Sequence, residues 1–146
     1  MKRTIAACAL AATLLGLGGC ATGYHDAGGL LGYTGGYYDH KGPGELFKVG
    51  FAGNAYISAA KVRDYLTYRC AEIARREGHT WFAIYRNLPD AIRDQRAHSK
   101  QVGTVNNKPW GEVYILFFDK QDDGLLDANE VIARLKPVIE SEGAKV

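Results

Sequence analysis

An α+β fold is expected for this chain: a small sheet of about three strands covered by two helices, in the order β-α-β-β-α, behind a flexible N-terminal tether. Three features of the 146 residues point there. Two segments carry apolar residues at helical spacing, and three short segments are dense in strand formers. Residues 21–44 contain eight glycines and no apolar period, so they read as a tether, with a single domain at 45–142.

Leu46-Phe47-Lys48-Val49-Gly50-Phe51 alternates, placing Phe47, Val49 and Phe51 on one face of a first strand. Gly53-Asn54 marks a turn. Ser58 can cap a helix by accepting from a free amide of its first turn. Val62, Leu66, Cys70 and Ile73 then follow as one apolar stripe. Gly78 after Glu77 stops that helix, because glycine enters the left-handed conformation cheaply. Thr80–Tyr85 is a second strand. Residues 87–109 are polar and irregular, with one helical turn between Pro89 and Arg96, and a connection of this length is uncommon in a compact domain. Glu112–Phe118 is the third strand and apolar enough to be central. Asp127–Ile139 is the second helix, its stripe made by Val131, Ile132, Leu135 and Ile139. The aromatic residues Trp81, Phe82, Tyr85, Tyr114, Phe117 and Phe118 read as strand core.

The N-terminus has a different texture. Lys2 and Arg3 precede an uncharged apolar run from Ile5 to Leu17. That run is shorter than the roughly 20 residues a membrane-spanning helix needs. A positive start, a short apolar core and a small-residue end make a secretory signal peptide, residues 1–19. Leu17-Gly18-Gly19-Cys20 resembles the lipobox of bacterial lipoproteins. The resemblance implies a diacylglyceryl thioether on Cys20, cleavage after Gly19 and acylation (as by palmitate) of the new amine. Each buried CH₂ is worth about 0.8 kcal/mol, so two or more chains hold a protein stably to a bilayer. Ala21 rather than Asp after the cysteine points to the outer membrane, with the domain facing the periplasm.

Cleavage there removes 19 of 146 residues and leaves 127, enough for one small domain. Two of the 18 basic residues leave with the signal, so 16 remain against 16 acidic ones. A neutral balance gives no basic face for nucleic acid. Charge is still segregated: residues 60–108 hold ten Lys or Arg against five acids, and 109–142 hold three against eight. Cys8 belongs to the signal and Cys20 to the lipid. Cys70 is then the one thiol left, which excludes an intramolecular disulfide and fits a small core residue.

Phe51-x-Gly53-Asn54, Val62-x-Asp64-Tyr65, Arg69-x-Ala71-Glu72, Gly78 and Trp81-Phe82 together resemble a family of small uncharacterised bacterial lipoproteins. Those share a lipobox, a Gly/Tyr-rich tether and a final helix like Asp127–Ile132. The resemblance covers 45–86 well, 110–139 loosely and 87–109 not at all. Cys70 stands where that family commonly has alanine. It implies a location and a domain, and supplies no catalytic residues.

Asp119 to Glu130, DKQDDGLLDANE, fits much of an EF-hand calcium loop. Asp119, Asp123, Asp127 and Glu130 are the candidate metal ligands, with Gly124 at the sixth place and Leu126 at the eighth. Gln121 departs from the pattern, a strand precedes the loop, and no second loop pairs with it. Asp127-x-x-Glu130 equally makes a helix capping box, the preferred reading. His25, Asp26, Asp39 and His40 match no zinc spacing. Arg69 and Glu72, three apart on a helix, read as a surface pair. His79 and His98 are the candidate general bases, each isolated in sequence. The chain contains no nucleophile elbow, phosphate loop or zinc signature. The expected role is a non-enzymatic, cofactor-free domain that contacts the lipid bilayer through Cys20 and another envelope protein. A calcium-binding lipoprotein and a small envelope hydrolase are the alternatives.

Overall fold

A computed structural model describes residues 20–28, 35–98 and 102–143. The expected signal peptide lies outside them. The elements are β1 Gly36–Lys41, β2 Phe47–Ala52, α1 Ala59–Arg76, β3 Trp81–Tyr85, α2 Leu88–Ile92, β4 Gly103–Val105, β5 Lys108–Phe118, β6 Leu126–Asp127 and α3 Ala128–Gly143. The strands form one antiparallel sheet in the spatial order β1-β2-β5-β3-β6. The long β5 is its spine. β2 lines one edge of it, while β3 (opposite Tyr114–Phe118) and β4 (opposite Lys108–Trp110) share the other.

The α+β mix stands, but the expected three strands and two helices give way to six strands and three helices among the described residues. Each addition is a short element without apolar periodicity. β1 comes from the supposed tether, and its ladder with β2 runs from Gly36↔Ala52 to Lys41↔Phe47. β4 closes on β5 through a two-residue turn, with Asn106 and Asn107 at φ 50° and 60°. Positive φ at both positions is what a tight hairpin matching strand twist requires. The connection 87–109 is therefore partly structured: α2 is capped by the Asn87 side chain on Asp90 N at 2.8 Å, and Ala97 bridges Ile84.

Phe47, Val49 and Phe51 sit on the core face of β2 beside Val113 and Ile115 of β5, all essentially inaccessible. Against them pack Val62, Tyr65, Leu66, Cys70 and Ile73 of α1, with Ala128, Val131 and Leu135 of α3. Ser58 caps α1 on Lys61 N at 3.2 Å. Gly78, at φ 86°, ends it as His79 N reaches back to Ala74 O at 2.8 Å. Cys70 is fully buried, and burial pushes its thiol well above the ordinary range. The opposite face of the sheet carries a polar network. Lys48 Nζ meets Glu112 Oε1 at 2.9 Å, Tyr38 donates to Glu112 Oε2 at 3.0 Å, and Trp110 Nε1 donates to Tyr38 at 3.2 Å. Gly50 is required beneath this network, because a Cβ there would collide with the Tyr38 ring.

Candidate functional site

The arm from Cys20 to Gly28 is docked on the domain by two clamps. Asn54 makes the first. Its Nδ2 donates to Cys20 O at 2.8 Å, its Oδ1 accepts from Thr22 N at 3.3 Å and Tyr56 N at 3.0 Å, and its own amide donates to Thr22 Oγ1 at 2.8 Å. One amide side chain thus satisfies three backbone groups at once, a use of its donor and acceptor ends that no apolar residue can copy. Gly53 beside it is also constrained. Its N–H donates to Pro109 O at 2.8 Å, and a Cβ there would collide with the Ile57 side chain. Thr22 is buried, whereas Cys20 is exposed.

Tyr24 makes the second clamp. Its ring packs against Tyr37, Tyr65 and Tyr68 at centroid distances of 4.8, 5.5 and 5.3 Å, and its hydroxyl donates to Glu72 Oε2. Arg69 Nη1 donates to the same oxygen at 3.1 Å, and its Nε and Nη2 reach Asp39 Oδ1 at 2.9 and 2.6 Å. The guanidinium lies 4.1 Å from the centroid of Tyr37, and Arg76 adds a bond to Asp39 Oδ2 at 3.1 Å. Burial, reinforced by Glu72, drives the Tyr24 hydroxyl far above its ordinary range, so it stays a donor. Burial alone would raise the Asp39 carboxyl too, but Arg69 and Arg76 outweigh it and hold it below 3.8. Arg69 and Glu72 are therefore not the isolated surface pair expected. They join α1 to β1 and to the arm. The arm's backbone also covers the free edge of β1, with Tyr37 N donating to His25 O and Ala27 N to Tyr37 O, both at 2.8 Å. Gly36, at φ 132°, admits this approach because a Cβ would collide with His25 O.

The candidate calcium ligands are placed apart in function. Asp127 Oδ1 accepts from Asn129 N at 2.7 Å and Glu130 N at 3.2 Å, capping α3. Asp119 faces His79 Nδ1 at 3.3 Å. Asp123 contributes its backbone carbonyl to Arg96 Nη1 at 2.6 Å, and Asp122 its carboxylate to the same nitrogen at 2.8 Å. Arg96 also holds Asp94 through Nε and Nη2, both at 3.0 Å. A guanidinium thus ties the acidic turn to the loop before β4. Among the described residues, no group of three or more His, Cys, Asp or Glu is arranged to hold a metal ion.

His79 and His98 stand in different surroundings. His79 stacks on Phe117 at 5.1 Å. His98 lines an open cleft of about 530 Å³ with Arg63, Asp64, Thr67 and Arg134. The Thr67 hydroxyl donates to Arg63 O at 2.8 Å. A second cleft, of about 430 Å³, is largely apolar and lies between Ala52-Gly53 and the β4–β5 hairpin, where Val105, Pro109 and Trp110 line it. Among the described residues no helix is long and apolar enough to cross a membrane.

No motif or apolar period around Thr22 and Tyr24 marked the docking. The one available signal was the density of tyrosines, an unusual composition for a free linker. No protein-family model, curated protein or solved structure matches this chain.

Proposed function

We propose that this protein is a bacterial envelope lipoprotein, anchored by lipid on Cys20, whose domain acts by contact with other envelope components and not by catalysis. The observation that carries the reading is the state of the arm. Cys20 is exposed while Thr22 is buried and held by Asn54, so a lipidated residue would project from a defined point on the domain surface. The lipobox ending at Cys20 supports the same position, as does the resemblance to small bacterial lipoproteins. Ala21 supports sorting to the outer membrane, facing the periplasm. Labelled palmitate fed to producing cells should enter the wild-type protein and not Cys20→Ser, and mass analysis should locate the acyl groups on Cys20. Incorporation that survives Cys20→Ser would end the reading. Cross-linking in intact cells should then capture one specific envelope partner.

The domain is proposed to work without a cofactor. Arg96 supplies the positive charge at the acidic turn, and Asp127 is engaged in capping α3. A second reading, a small hydrolase, has one observation in its favour: the cleft that gathers His98, Asp64 and Thr67. The Thr67 hydroxyl spends its proton on Arg63 O, which leaves His98 no hydroxyl to activate in this arrangement. Ester or amide hydrolysis abolished by His98→Ala would reverse that order of preference.

A further inference from the structure

We propose that the end of the sheet beside Cys20 is a bilayer-contact surface, whose apolar cleft of Val105, Pro109 and Trp110 seats in the headgroup–acyl boundary of the membrane. The proposal rests on the lipid-anchor reading and deepens it. A free Gly-rich chain over residues 21–44 would let the domain stand about 27 Å from its lipid. The docked arm abolishes that distance. Cys20 O is one hydrogen bond from Asn54, and Asn54 follows Gly53 in the wall of the cleft. A lipid entering the bilayer from Cys20 brings this end of the sheet to the surface with it.

The chemistry of the end fits that neighbour. Tyr56 is 66% exposed and Val105 58%, two of the most exposed large apolar side chains among the described residues. Trp110 is half-buried in the cleft wall, with its Nε1 satisfied by the Tyr38 hydroxyl. Aromatic residues with one polar atom are the type enriched where apolar chains meet wet headgroups. Residues 52–60 and 102–110 contain one cation, Lys108, and no carboxylate. Lys108 also lines the cleft, where its amine would meet lipid phosphate. A protein partner is a weaker candidate occupant, because the lipid on Cys20 already brings the bilayer to the wall of this cleft.

The two tryptophans report the two ends of the sheet. Trp81 pairs with Phe118 at one end of β5, and Trp110 lies eight residues back along the same strand, about 27 Å away. The experiment uses the acylated protein from Cys20 onward in vesicles of phosphatidylethanolamine and phosphatidylglycerol, with and without a lipid brominated high on its acyl chain. Trp81→Phe and Trp110→Phe leave one reporter each. Bromine should remove most of the Trp110 emission and leave that of Trp81. Val105→Asp, at a side chain 58% exposed, should restore Trp110 emission while the protein stays with the vesicles. Unquenched Trp110, equal quenching of both tryptophans, or quenching indifferent to Val105→Asp would overturn the docking while acyl mass on Cys20 kept the anchor intact. Absence of acyl mass on Cys20 would overturn both.

Discussion

Replacing Arg69 by methionine keeps most of the side chain's volume and removes its guanidinium. Three hydrogen bonds to Asp39 and Glu72 go, together with the stack on Tyr37. Breaking a fully buried ion pair from one side costs about 3–5 kcal/mol, because the remaining charge is stranded. Asp39 is 11% exposed and retains Arg76, so the expected loss is about 2–3 kcal/mol. The loss should depend on pH with a definite sign. Arg69 and Arg76, against the opposing effect of burial, hold the Asp39 carboxyl below its ordinary 3.8 in the folded state. A depressed folded value means the stabilisation is present above the unfolded value and fades as pH falls through the folded one. The deficit of Arg69→Met should therefore be largest near neutrality and shrink once pH drops below about 4. Urea melts of unlipidated residues 21–146 across that range measure it, and hydrogen exchange at residues 22–28 shows whether the arm loosens first. Arg75→Met, an exposed neighbour, should stay within about 0.5 kcal/mol of wild type. An equally small deficit for Arg69→Met, or one constant with pH, would refute the clamp.

Three further outcomes are expected. Asn54→Ala strips the partners of Cys20 O, Thr22 N and Tyr56 N, and should cost about 1–3 kcal/mol and abolish exchange protection at Thr22. Calcium at millimolar concentration should leave the melting temperature of the wild type unchanged, since Arg96 occupies the acidic turn. A rise of several degrees, lost in Glu130→Gln, would establish a metal site there. In residues 21–146, whose one thiol is Cys70, that thiol should resist alkylation until the domain unfolds, because it is inaccessible and burial suppresses the thiolate; native-state labelling would contradict that placement.

Local signals read directly from the chain account for β2, α1, β3, the C-terminal half of β5 and α3. Phe47, Val49 and Phe51 alternate because one face of their strand is covered. The cap at Ser58 and the stop at Gly78 are properties of single residues in helical backbone. The stripe that carries Cys70 is periodic for the same reason. Tertiary packing only had to join these pieces. β1, β4 and β6 left no such signal. They are short and polar or glycine-rich, and they are held by ladder bonds to a neighbour that sequence order does not identify.

By itself the sequence determined the helical and strand segments that own an apolar period, together with the motif at Cys20. Those depend on neighbours a few residues apart. Only the tertiary structure decided that Gly36–Lys41 joins the sheet and that Asn54 holds Cys20 across 34 residues. It also decided that Arg69 and Glu72 fasten Asp39 and Tyr24, and that Arg96 answers the acidic turn. These are pairings of polar groups distant in the chain. Their free energy comes from burying each beside a particular partner, a condition that exists only once the chain has folded.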